Sequence, residues 1–266
     1  MGGMLFMTYA ECADYMKNFF EQYYDKLSQD DIGIMLPLEE SDKEMWSDDA
    51  DPNEEWKKWK LVPASIDERE LVELEDKLGV KLPLSLRAFL TVYHHFFEDP
   101  IGRNPASDHF EGLWNAWNPL LVKYGYLPFA WNEDGYYIRC IHLEKMPDEE
   151  QCGIYQIDHE ILFDFDEDTV GKQEIDENMK LVSQNLFTYL DDILHDRDRE
   201  SVIKHAKAAI LDTLKGECGI TDRDDFTARY DKDPESIRRK LRPVQEQYEL
   251  SDDDMEDLLD VIEYYF

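Results

Sequence analysis

One histidine stands between two carboxylates, in Asp158-His159-Glu160. A histidine beside a carboxylate can act as a general base, so this is the most catalytic-looking triplet in the chain. Neighbours in a strand point to opposite faces, however, and a histidine at a strand end bonded to structure is the commoner case. Asp164, Asp166 and Asp168 have the spacing of the first half of a calcium loop. The position that needs glycine holds Thr169 and the bidentate acidic position falls on Ile175, so a solvated acidic turn fits better. No phosphate cradle, Gly-x-Ser-x-Gly elbow or His-Glu-x-x-His helix is present. Cys12, Cys140, Cys152 and Cys218 form no Cys-x-x-Cys pair and read as free buried thiols. The expectation is a non-enzymatic chain with no catalytic, metal or cofactor residues.

The charge points to association. With 28 Lys and Arg against 62 Asp and Glu, the 266-residue chain carries −34. Such a field repels nucleic-acid phosphates and draws basic proteins by steering. Solubility, or adaptation to a salty host, explains the same number equally well. An apolar fraction of 42% excludes wholesale disorder. No apolar run reaches the roughly 18 residues that span a bilayer. Met1–Met7 lacks the basic and apolar regions of a secretory signal, so the expected location is the cytoplasm.

The elements that must position these groups centre on Tyr126–Glu160. Aromatic and β-branched runs there are broken by Asn132-Glu133-Asp134-Gly135 and by a polar loop, which predicts antiparallel strands joined by hairpins. Ile161–Phe165 reads as a further strand. Thr8 and Glu11 form a capping box before a helix with Cys12, Met16, Phe19, Phe20 and Tyr23 on one face. Ser28–Asn53 is acidic and irregular, and Trp56 and Trp59 are expected to anchor the lead-in to the core. Ser65 with Glu68 starts a helix that Gly79 stops. Pro83 opens the next, which carries Leu86, Phe89, Leu90, Tyr93 and Phe97, with His94 and His95 near its end. Gly102–Pro119 is a loop-rich insertion. Ser183 caps a helix with Leu186, Leu190, Ile193 and Leu194 inward. From His195 onward the pattern is helical only, with starts at Asp198, Asp233-Pro234 and Ser251. The predicted fold is α+β, a mostly antiparallel central sheet flanked by helices. Its segments are 1–54 (N-terminal helix and acidic lead-in), 55–194 (α+β core) and 195–266 (helical extension).

One family shares this order of residues. Glu55-Trp56-Lys57-Lys58-Trp59, Pro63, Leu78-Gly79 and Leu82-Pro83 come first. Pro128-Phe129-Ala130-Trp131, Gly135, Tyr137 and Cys140 follow, then Gly153-x-Tyr155 with Asp158-His159-Glu160. Together they resemble the SUKH superfamily, known also for a fungal cell-wall regulator, over about Glu55 to Leu194. The resemblance implies an α+β fold and a cytoplasmic protein without catalytic residues. Bacterial members of this family neutralise polymorphic toxins, often nucleases, by direct binding, whereas fungal members look like signalling scaffolds.

The expected partner is therefore a basic toxin domain, with neither nucleic acid nor membrane bound. Candidate contacts are acidic loops beside exposed aromatics: Glu133 and Asp134, then Asp148, Glu149 and Glu150, then Asp164, Asp166, Glu167 and Asp168. Trp114 and Trp117 are candidate hydrophobic anchors, with buried core an equal alternative.

Overall fold

A computed structural model describes residues 7–29 and 31–266, so the reading of the N-terminus up to Phe6 lies outside the described residues. The chain divides into two compact units, residues 1–194 and 195–266.

The first unit opens with α1 (Tyr9–Ser28), started by the Thr8–Glu11 capping box and burying Cys12, Met16, Phe19, Phe20 and Tyr23. That face sits in the same core as residues of 55–194, so the N-terminal helix is an integral part of the unit. In the acidic lead-in, β1 (Met35–Pro37) pairs antiparallel with β2 (Trp56–Lys58). Trp59 is fully buried, but Trp56 is 53% exposed. The buried neighbour is instead Lys57, whose ammonium lies 4.8 Å over the Trp46 ring. The expectation of two tryptophan anchors is thus half corrected: an ammonium tolerates burial where carbonyls and a ring face receive it.

Next come β3 (Val62–Pro63), α2 (Glu68–Leu78), α3 (Leu84–Val92) and β4 (Tyr93–His94). The first of these helices starts at Asp67 with a box to Glu70, two residues after the predicted Ser65. Ser65 faces His94 Nε2 at 3.1 Å instead. Gly79, at φ +74°, stops the helix in a conformation that only glycine adopts without strain. The next helix stops at Val92 because Tyr93 turns extended and pairs with Pro63. His94, His95 and Phe97 consequently lie beyond its end.

The predicted insertion contains α4 (Glu111–Ala116) and leads into α5 (Pro119–Lys123). The sheet follows as β5 (Tyr126–Trp131), β6 (Tyr137–His142), β7 (Ile154–Asp158) and, past α6 (His159–Asp164) and α7 (Lys172–Asn178), β8 (Lys180–Ser183). Its order is sequential and antiparallel, as the hairpin pattern predicts. Pro128 is tolerated because β5 is an edge strand. Leu127, Phe129, Ile141 and Ile154 face the main core, while Tyr126, Ile138, Cys140 and Ile157 face a second cluster with Leu162 and Ile175. Cys140 and Cys152 sit in different clusters, and all four cysteines are free.

Two expectations fail around α6 and β8. Ile161–Phe165 is no strand, because the Asp158 carboxylate accepts the Glu160 amide and starts a helix. Ser183 is no cap: it pairs with Ile154, and Asn185 accepts the Thr188 amide two residues further on.

Helix α8 (Leu186–Gly216) continues where separate helices were predicted, since neither Gly nor Pro interrupts His195–Arg199. In the second unit its later part is joined by α9 (Arg223–Lys232), α10 (Pro234–Gln247) and α11 (Asp252–Ile262). Asp233 caps α10 with Pro234 in its first turn, as the sequence predicts. Ile210, Leu214, Ile237, Leu241, Leu258 and Ile262 form this unit's own core.

Candidate functional site

The turn between β5 and β6 is built by one buried side chain. Asn132 Oδ1 accepts the amides of Tyr136 and Tyr137 at 2.8 and 2.7 Å. Gly135 takes φ +71°, which lets the chain reverse, and Glu133 and Asp134 are left exposed at the tip. Glu133 lies 3.7 Å from the Arg139 guanidinium. Asp134 has no ion-pair partner among the described residues.

Asp158-His159-Glu160 forms the junction of β7 and α6. Asp158 caps the helix, and His159 Nδ1 donates to the Tyr136 carbonyl at 2.8 Å. A carbonyl only accepts, so Nδ1 carries the proton. The imidazole is therefore oriented by backbone, with ring centroids of Trp131 at 5.7 Å, Phe163 at 5.9 Å and Tyr136 at 6.2 Å. Immediately after this helix, Asp166 holds a turn by accepting the Asp168 amide, while Asp164, Asp166, Glu167 and Asp168 are all exposed. Among the described residues no three His, Cys, Asp or Glu are grouped as a metal would need.

Asp148, Glu149 and Glu150 lie elsewhere, and they differ among themselves. Glu149 accepts the Leu84 amide at 2.6 Å, the Ser85 amide at 2.9 Å and the Ser85 hydroxyl at 2.7 Å. Its carboxylate is thereby committed to the start of α3, where Pro83 has no side chain able to cap. This corrects its placement among free partner contacts. Asp148 accepts from Gln151, and Glu150 is exposed. Trp114 and Trp117 meet edge to face at 6.0 Å and pack, half-buried, against the main core. They are wall rather than projecting anchors.

Beside the hairpin end is a pocket of about 450 Å³ that the sequence did not disclose, lined by Glu98, Asp99, Glu111, Trp131 and Glu133. Its floor is a backbone contact. A Cβ on Gly112 would lie 2.7 Å from the Arg103 nitrogen, so a side chain there would push the walls apart. Asp99 accepts the Trp131 amide at 3.1 Å. Asp99 is open at the lip, yet partial burial still pushes its carboxyl upward, and burial does the same to Glu111. The signal was spread over a loop, helix α4 and the end of β5 with its turn, and no local motif joins them.

An antiparallel meander with helices on both faces and charged turns at one end defines an α+β domain. Residues 65–192 match the SMI1 / KNR4 family (SUKH-1), and the chain carries a domain of the SUKH superfamily. That family includes immunity proteins and cell-wall regulators. No curated protein and no solved structure matches the chain. Among the described residues no helix is long and apolar enough to cross a membrane.

Proposed function

We propose that this chain is a cytoplasmic immunity protein, which neutralises a basic toxin domain of nuclease type by direct binding and performs no chemistry itself. The observation that carries this reading is the end of the sheet in a SUKH domain, where Asp134, Glu160 and Asp164 stand exposed with no ion-pair partner among the described residues, with Glu167 and Asp168 exposed in the turn that follows. Nuclease sites are basic because they hold phosphates. A rigid acidic surface offers such a site a nucleic-acid mimic, and the net −34 steers it there. The test is calorimetric titration against the product of the adjacent gene, with nuclease activity followed in parallel. Binding that abolishes the nuclease supports the reading, and absence of binding removes it. The second unit, with its own core beyond the SUKH match, favours one alternative, a scaffold whose C-terminal helices dock a cellular partner. Deleting residues 217–266 separates the two, since neutralisation survives the deletion only on the first reading.

A further inference from the structure

The fold leaves rings in solvent at the same end of the sheet. Phe163 is 79% exposed and Tyr136 57%, while Leu162 between Ile161 and Phe163 is the residue that α6 buries. Both rings touch His159, which Trp131 backs from within. Carboxylates flank them in the chain: Glu133 and Asp134 lead into Tyr136, and Glu160 and Asp164 bracket Phe163. Asp134, Glu160 and Asp164 have no ion-pair partner among the described residues. Solvent-facing rings alone fit any apolar partner, and carboxylates alone fit any cation. Together they fit a side chain that is flat, weakly hydrated on its faces and cationic at its edge. A guanidinium stacks on a ring while its N–H groups reach carboxylates, whereas an ammonium has no flat face and holds its water more tightly.

We infer that the partner is a basic protein surface that lays an arginine against Phe163 and Tyr136, with the carboxylates of Glu160, Asp164 and Asp134 receiving its edge. This rests on the reading of the hairpin end as a protein-binding face, and it names the residues and the partner side chain that make the contact. Charge complementarity selects the occupant, since a second copy of this chain would bring like charge to the same ring of carboxylates.

The experiment uses the full chain, labelled at its indole nitrogens, titrated with acetyl-Gly-Arg-Leu-Arg-Gly amide and with its lysine counterpart. The expected result is a shift of the Trp131 indole signal and at least threefold tighter binding of the arginine peptide. Phe163→Leu, which keeps apolar area without a ring, and Tyr136→Ala/Phe163→Ala are expected to abolish that preference. Both positions are exposed, so circular dichroism of the variants should match the parent. Equal binding of the two peptides, or a preference that survives Phe163→Leu, overturns the inference. Against the adjacent gene product, the double variant is expected to weaken binding at least tenfold. Wild-type binding that the double variant leaves unchanged overturns the ring contact and spares the immunity reading. An arginine preference without any binding of that product does the reverse.

Discussion

His95 has no exposed surface and lies among the rings of Phe20, Phe89 and Phe97, with neither ring nitrogen bonded to protein. Burial, helped by the neighbouring His94, pushes it down to about 3. Above pH about 6.5 it is neutral folded or unfolded and contributes no pH dependence. Below that, the unfolded chain takes up a proton that the folded chain refuses. Stability therefore falls by about 1.4 kcal/mol per pH unit from this one group, down to the folded value. Replacing His95→Phe is expected to flatten urea-unfolding stability between pH 4 and 6.5 by that one-proton slope. Tryptophan emission reads the change, because all six tryptophans belong to the first unit. A slope identical to the parent's would refute the assignment. Glu75 adds to the same acid lability: burial raises it, but Lys81, the Leu82 amide and Arg87 outweigh that and leave it lowered. Its contribution is present above the unfolded carboxylate range and lost as pH falls through the folded one. The sequence marks His94 and His95 as structural, but places them on a helix. That error is physical, since the extended backbone at Tyr93 is set by Pro63, thirty residues earlier in the chain.

Among elements, the local starts were legible and the remote ones were not. Thr8 with Glu11, and Asp233 with Pro234, cap their helices from within three residues, where a spacing rule can see them. Helix α3 takes its cap from Glu149, 65 positions away, and no spacing rule reaches that far. Glu149→Ala is expected to lower stability by about 0.5–2 kcal/mol, as loss of a cap does, without weakening partner binding directly. Glu150→Ala, on an exposed neighbour, should leave the urea midpoint nearly unchanged. Equal effects of the two substitutions would remove the capping role. Helix α6 was hidden for a different reason. An Ile-Leu-Phe-Asp-Phe run satisfies a strand pattern, and only Asp158's capping bond tips it into a helix that turns Ile161 and Phe163 outward. The exposed ring cluster was lost with that misreading.

For the whole molecule, the hairpin block between helical patterns sufficed to predict an α+β fold, because alternation and turn residues are local while the layers they imply are few. The charge was equally plain, but it speaks to association rate rather than to where contact is made. Association with a basic partner is expected to slow by at least tenfold between 50 mM and 500 mM salt, measured by stopped flow, with a smaller change in dissociation. An on-rate indifferent to salt would leave the −34 as a matter of solubility.

The remote cap on α3 also sets a timetable. As the chain emerges from a ribosome, Leu84 appears 65 residues ahead of the carboxylate that closes its helix. At about 5–20 residues per second that is an interval of roughly 3 to 13 s. Throughout it the first turn of α3 stands open, with the Leu84 and Ser85 amides available to any other acceptor. The main core is incomplete over the same interval, since Ile154, Leu186, Leu190 and Ile193 follow Glu149 in the chain.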